Sequence, residues 1–89
     1  MEVLTRYLAA ELGPRGIRAN VIAPGATATD FGGGFVRDDS DLNRRLAGTV
    51  PLGRVGLPDD IGAAAAAMLS DARGWMNGVR VEVSGGQNL

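Results

Sequence analysis

The sequence predicts an α/β fold in which two parallel strands carry flanking helices, and three observations lead there. Apolar residues recur at helical spacing from Val3 to Leu12; the short apolar run from Ile17 to Pro24 reads as a strand; and Val79, Val81 and Val83 alternate with Arg80 and Glu82 as a second strand. The connection between the strands holds further helical pattern and is far too long for a hairpin. The strands should therefore run parallel, with a right-handed crossover.

In the first helix Val3, Leu4, Tyr7, Leu8 and Leu12 share a face, and Glu2 and Arg6 are spaced for an ion pair on the other side. Gly13 suits the left-handed position that closes a helix, and Pro14 cannot continue one. The pattern starts without an N-cap, so the first turn of this helix is expected to precede Met1. After a turn at Gly16, Ile17, Ala19, Val21 and Ala23 lie on one face of the first strand, and the unbroken Val21-Ile22-Ala23 suits burial on both faces. Pro24-Gly25 ends it. A loop of small residues runs from Ala26 to Gly34, Ser40 or Asp41 caps a short helix reaching about Gly48, and Val50 to Leu57 is a glycine-punctuated connection. Pro58-Asp59-Asp60 opens the next helix, with proline near its first position and carboxylates beside the positive end of its dipole. Ile61, Ala65, Met68 and Leu69 form its apolar stripe. Asn77-Gly78 turns the chain into the second strand, which Ser84-Gly85-Gly86 closes.

Eighty-nine residues allow one domain, residues 1–89, and although 45% are hydrophobic, thirteen of these are Ala and fourteen further positions are Gly. The core should be thin, and a chain of this size needs a disulfide, a metal or a partner. With neither Cys nor His, it excludes disulfides, Cys/His zinc sites, haem attachment and Ser-His or Cys-His nucleophiles, which leaves a partner. All nine cations are Arg, they are scattered, and the net charge is −1, so there is no nucleic-acid footprint and no lysine ammonium for chemistry. No basic and apolar leader follows Met1, and the longest apolar run, Ala63 to Leu69, falls far short of the roughly 20 residues that span a bilayer. A soluble cytoplasmic protein, without membrane or nucleic-acid partners, is the expectation.

Most candidate chemistry reduces to structure. Gly32-Gly33-Gly34, Gly53-Arg54-Val55-Gly56 and Ser84-Gly85-Gly86 lack the spacing of a phosphate loop and read as turn glycines. Asp38, Asp39 and Asp41 lack the spacing of a calcium loop and read as a solvated helix start, so no metal site is assigned. Tyr7 stands four residues from Glu11, where an acidic phenol would want a cation, and reads as a packing residue. Ala63 to Ala67 fits either a close helix–helix approach or a tightly packed core helix. Ser40, Ser70 and Ser84 have no base, which argues against a hydrolase. Pro24-Gly25-Ala26-Thr27-Ala28-Thr29 is different. It follows the C-terminal end of a parallel strand, where open α/β sheets bind ligands, and it offers amides and two hydroxyls that suit an amide-bearing ring, while Pro-Gly is equally the composition of an ordinary strand-to-loop turn.

The strings Glu11-Leu12-Gly13-Pro14-Arg15-Gly16-Ile17-Arg18-Ala19-Asn20-Val21-Ile22-Ala23-Pro24-Gly25, Pro51-Leu52-Gly53-Arg54 with Pro58-Asp59-Asp60-Ile61, and Asn77-Gly78-Val79 through Ser84-Gly85-Gly86 resemble the C-terminal part of a short-chain dehydrogenase/reductase. The resemblance runs in order through essentially the whole chain. It implies the closing part of a Rossmann-type parallel sheet: the last helix of the catalytic region, the sixth strand, a variable substrate loop, a helix and the seventh strand. It also implies that Pro24, Gly25, Thr27 and Thr29 face the nicotinamide end of NAD or NADP, with the Thr27 backbone at the carboxamide and the Thr29 hydroxyl near the carboxamide or a phosphate. Residues from about Asp30 to Val50 would cover a small alcohol or carbonyl substrate, and the last helix and strand would make homo-oligomer contacts.

The family's Gly-rich fingerprint, catalytic Ser and Tyr-x-x-x-Lys pair have no counterpart in these residues, and by the resemblance the Lys would fall a few residues before Met1. No catalytic residue is therefore assigned, and the chain alone is expected to be inactive and to bind neither cofactor tightly. One reading makes it the C-terminal third of an NAD(P)-dependent oxidoreductase, from a truncated gene, a mis-assigned start or a split enzyme whose partner is the N-terminal portion. The other makes it a non-catalytic assembly module that joins intact relatives through its Ala-rich helix and an unpaired strand edge.

Overall fold

The computed structural model describes residues 1–30, 33–87 and 89. In chain order the elements are α1 (Glu2–Leu12), a 3-10 turn (Gly13–Arg15), β1 (Val21–Pro24), α2 (Phe35–Asp38), α3 (Ser40–Ala47), α4 (Pro58–Leu69), a second 3-10 turn (Asp71–Arg73) and β2 (Arg80–Val83). β1 and β2 form a two-stranded parallel sheet, with Val21 opposite Arg80 and Pro24 opposite Val83. The α/β class and the parallel pairing are as the sequence predicts.

Helix α1 ends differently from expectation. Gly13 keeps a right-handed conformation (φ −53°), and the left-handed residue is Gly16 (φ 74°). Pro14 has no N–H for the α-helical bond, so the backbone tightens into the 3-10 turn and reverses only at Gly16. There the N–H groups of Gly16 and Ile17 donate to the carbonyls of Gly13 (2.8 Å) and Leu12 (3.3 Å), the paired bonds of a Schellman closure. Glu2 reaches Arg80 Nε at 3.1 Å instead of pairing with Arg6, which ties the start of α1 to β2.

The first strand is shorter than predicted because asparagine side chains take over its ladder. Ala19 N–H donates to Asn77 Oδ1 (3.0 Å) and Val79 N–H to Asn20 Oδ1 (3.1 Å). The Ala19 carbonyl still accepts from Gly78 N–H (2.8 Å), and the regular ladder begins at Val21, whose N–H donates to the Val79 carbonyl (2.9 Å). Asn77 Nδ2 also donates to the Ala9 carbonyl (3.3 Å), fastening α1 to this junction. β2 alternates as its sequence does, with Arg80 and Glu82 exposed and Val81 and Val83 half-buried.

α3 is capped one residue earlier than expected. The Asp39 carboxylate accepts from the N–H groups of Asp41 and Leu42, both at 3.0 Å, the bonds an N-cap side chain makes to the first turn. α4 starts at Pro58 as predicted, and Asp60 closes its first turn by accepting from Leu57 N–H at 2.7 Å. Its C-terminal end is held by Arg18, whose guanidinium donates to the carbonyls of Met68 (3.2 Å), Arg73 (2.8 Å) and Met76 (3.2 Å). A cation here meets the negative end of the helix dipole.

The core is thin, as expected: among the described residues the buried apolar ones are Ala9, Val50 and Val55, and Thr5 is buried as well. Burial on both faces of β1 does not occur; Val21, Ile22 and Ala23 are half-buried. The apolar face of α1 is exposed, with Tyr7 at 71%, so the packing role read for Tyr7 is not met within this chain. Leu69 drops out of the α4 stripe at 80% exposure, while Ala64 joins it half-buried, so neither close-packing reading of Ala63 to Ala67 holds inside the chain. The accessible surface is 6329 Å², whereas a compact monomer of this mass exposes about 4,900 Å². The radius of gyration, 15.3 Å, likewise exceeds the roughly 12 Å of a compact domain of this length. No helix among the described residues is long and apolar enough to cross a membrane.

Candidate functional site

The loop leaving β1 is fixed by three partners distant in sequence. Gly25 N–H continues the ladder to the Val83 carbonyl at 3.1 Å, and Ala26 N–H donates to Gln87 Oε1 at 2.9 Å. Gly56 then bridges Thr27 in parallel fashion, donating to the Ala26 carbonyl (2.8 Å) and accepting from Ala28 N–H (2.9 Å). In such a bridge the flanking residues serve the partner, so Thr27's own N–H and C=O point to the opposite side. The amides of Gly25, Ala26 and Ala28, which the sequence offered to a ligand, are engaged internally.

Gly25 is required by contact rather than by conformation. A Cβ added there would lie 2.7 Å from Ser84 Cβ and 2.8 Å from Gln87 Oε1. Its lack of a side chain lets the β1 exit lie directly on the turn that follows β2. Thr27 is half-buried, and its Oγ1 donates to the Gly25 carbonyl at 2.9 Å, closing the bend. Pro24, the last residue of β1, is exposed, and Thr29 is half-buried. All four predicted site residues thus lie on one short stretch at the C-terminal end of the sheet.

Two concavities flank this stretch. One, about 200 Å³, lies between Ala26, Gly56, Val83 and the start of α4. Its rim carries Arg54, whose Nη1 and Nη2 reach Asp60 at 2.8 and 3.1 Å. The Arg54 guanidinium, helped by Leu57 N–H, lowers the Asp60 carboxyl to about 2, and Asp60 in turn raises Arg54 above its ordinary range. The other, about 700 Å³, lies between Ala28, the α2–α3 segment and Leu57. There Arg37 pairs with Asp38 (Nε to Oδ1, 2.7 Å) and with Asp30. Hydrogen bonding to Arg37 lowers Asp38, and both carboxylates raise Arg37. α2 and α3 build one wall of this cleft from the segment expected to cover a substrate; Phe31 and Gly32, within it, lie outside the described residues. Among the described residues no group of His, Cys, Asp and Glu could hold a metal ion.

A family model described as enoyl-(acyl carrier protein) reductase matches residues 1–88. A short chain dehydrogenase from Bacillus anthracis superposes with a TM-score of 0.80 at 37% identity, covering 99% of this chain and 33% of that one. The chain belongs to the short-chain dehydrogenase/reductase family. It is also 42% identical over 87 residues to a probable 2,4-dienoyl-CoA reductase of Bacillus subtilis, covering 97% of this chain and 34% of that protein. The structure of a 4-hydroxyisoleucine dehydrogenase complexed with NADH superposes with a TM-score of 0.84 at 28% identity, covering 98% of this chain and 35% of that one. This short-chain dehydrogenase/reductase chain therefore spans about a third of the length of the relatives it matches.

Sequence reasoning missed the residues that hold the loop of this short-chain dehydrogenase/reductase chain. Gln87 and Gly56 contact it through pairings 61 and about 30 residues apart, which no local pattern announces. Gly56 carried one available signal: it stands in a glycine-rich connection where a turn needs only Gly53 (φ 83°), leaving a second glycine to be explained by close backbone approach.

Proposed function

We propose that this chain is the C-terminal, nicotinamide-side part of an NAD(P)-dependent alcohol dehydrogenase or ketone reductase, and that alone it is inactive. The observation that carries the reading is the Thr27 peptide, turned away from its Gly56 bridge at the C-terminal end of a parallel sheet. One N–H and one C=O side by side match the acceptor and donor of a carboxamide. Pro24, Gly25, Thr27 and Thr29 would hold the nicotinamide end, Thr27 through its backbone and Thr29 through its hydroxyl. The α2–α3 segment would cover the alcohol or carbonyl substrate.

Bound NAD(P)H supplies the hydride for carbonyl reduction. The carbonyl oxygen also needs a proton, and the chain has no Lys and one Tyr, exposed on α1. The proton donor and the adenosine half of the cofactor site therefore belong to a partner portion. About 1,400 Å² of surface beyond that of a compact monomer exceeds the roughly 800 Å² that one partner contributes to an ordinary protein–protein interface, which supports the same requirement. A cytoplasmic setting and homo-oligomer contacts in the assembled enzyme are part of this proposal.

The test begins by translating the DNA ahead of Met1, where a Tyr-x-x-x-Lys segment with a Gly-rich loop is expected. The two polypeptides are co-expressed and NADH and NADPH oxidation is followed with simple ketones. Turnover is expected only from the pair, and calorimetry of this chain alone should give no heat with either cofactor. Turnover by the chain alone, or no such segment upstream or nearby, overturns the reading. The exposed α1 face and the free strand edges also favour an assembly module; co-elution with an intact relative without any gain in activity would select that alternative.

A further inference from the structure

We propose that Gln87 is a positioning residue that couples the nicotinamide-side loop to the end of the substrate-covering segment; the inference rests on the reading of Ala26 to Thr29 given above. Its carboxamide makes two bonds. Oε1 accepts from Ala26 N–H at 2.9 Å, and Nε2 donates to Thr49 Oγ1 at 3.3 Å. Thr49 Oγ1 passes its own hydrogen to the Leu46 carbonyl at 2.7 Å, in the last turn of α3. The chain of donors runs one way, from Gln87 through Thr49 to Leu46. Flipping the amide would set Nε2 against Ala26 N–H, donor against donor, so its orientation is fixed by both ends.

The surroundings are built to hold this group. Gly25 leaves the space that Oε1 occupies, since a Cβ there would come within 2.8 Å of it. Gln87 N–H donates to the Ser84 carbonyl at 3.3 Å, and Leu52 N–H donates to the Gly85 carbonyl at 3.2 Å. A Cβ on Gly85 would lie 2.7 Å from Val50 Cγ1, so the post-β2 turn sits directly on the segment after α3. Ala26 adjoins the Thr27 peptide that would meet the carboxamide, and Thr49 adjoins buried Val50 at the base of α2–α3. The Gln87 side chain thereby joins the end of the substrate-covering segment to the residue beside the ring-binding peptide, alongside the Leu52–Gly85 contact.

The experiment uses nuclear magnetic resonance on the whole chain and then activity of the paired enzyme. In the wild type, a through-hydrogen-bond coupling between the Ala26 amide and the Gln87 side-chain carbonyl is expected, and its absence overturns the proposal without any variant. Gln87→Met, which keeps the length and loses both bonds, should speed Ala26 amide exchange about tenfold, while Val21 and Ile22 amides stay within about twofold. Gln87→Glu retains the acceptor and should keep Ala26 slow. Thr49→Val should release only the Gln87 side-chain amide. Unchanged Ala26 exchange, or equal acceleration throughout the sheet, overturns the coupling. In the paired enzyme, Gln87→Met should lower kcat about tenfold with Gln87→Glu recovering most of it. If pairing gives no activity while the exchange results hold, it is the cofactor reading that fails, and the positioning role with it, whereas the physical link stands.

Discussion

Gly25→Ala places a methyl where the structure has no room for one. Its new methyl would sit 2.7 Å from Ser84 Cβ, 3.0 Å from Ser84 Cα and 2.8 Å from Gln87 Oε1. Retreat is blocked because Gly25 N–H is bonded to Val83 at 3.1 Å and Ala26 N–H to Gln87 at 2.9 Å. Overpacking of this kind costs about 1–3 kcal/mol, and displacing the Ala26–Gln87 bond adds about 1 kcal/mol. A loss of about 2–4 kcal/mol is a large share of the roughly 4–13 kcal/mol a chain of this length has in total. At about 4–8 °C per kcal/mol, Tm should fall by about 8–32 °C, read by circular dichroism on heating. Ser84→Gly in the same chain removes the nearest atom and should recover part of the loss, with Ser84 Cα still in the way. Equal melting of Gly25→Ala and wild type, or no coupling between the two substitutions, would refute the steric argument and with it the geometry of the loop.

Gly62→Ala, inside α4 with nothing within 4 Å of the added Cβ, should instead stabilise the chain by about 0.5–1 kcal/mol; a lower Tm would contradict the helix. The Asp60 carboxyl is held at about 2, below its ordinary 3.8, by Arg54 and then Leu57 N–H. A depressed carboxyl stabilises the fold above its unfolded value and ceases to as pH falls from about 4 towards 2, so the α4 N-terminus should loosen over that window. Carbon-13 titration checks this, and in Arg54→Met the midpoint should move up; an unmoved midpoint would deny the pair. Asn77→Ala removes partners from Ala19 N–H and the Ala9 carbonyl and should cost about 1–3 kcal/mol in urea unfolding, with faster exchange at Ala19; unaltered exchange there would show that α1 is anchored otherwise. Trp75 is fully exposed, so the isolated chain should emit as a solvated, iodide-quenchable indole. A blue-shifted emission that relaxes on dilution would show that copies of the chain cover it.

What the sequence made legible is what local chemistry determines. The Val/Arg/Val/Glu/Val alternation sets the two faces of β2, the crossover length sets parallel pairing, and Pro58 with Asp60 marks the start of α4. The misplacements share a cause. Gly13 was the nearer glycine, yet the missing N–H of Pro14 moved the reversal to Gly16; Ser40 is as good a cap as aspartate, yet Asp39 stands just ahead of the helix and takes its first-turn amides. Residues 17–20 have strand composition, but the Asn77 side chain takes the Ala19 N–H and the Asn20 side chain takes the Val79 N–H in place of backbone carbonyls, and asparagine gives no periodic signal. The site stretch itself was visible from Pro24 to Thr29, whereas the groups that shape it, Gly56 and Gln87, act across the fold.

The α1 stripe shows how a correct pattern can point outside its own chain. Val3, Leu4, Tyr7 and Leu8 have the spacing of a buried helix face and are nevertheless exposed, because periodicity records that a face is apolar and not which surface covers it. The residues that shape the loop are different ones. Val83, Gly56 and Gln87 all belong to this chain, and every bond they make to the loop is closed within it. The loop after β1 is thus determined within the chain, while exposed apolar surface lies elsewhere, on α1 and at Leu52, Leu69 and Trp75. A portion that docked on α1 and the sheet edges would complete the sheet and helix layer without having to build the loop, which is the division of labour proposed here.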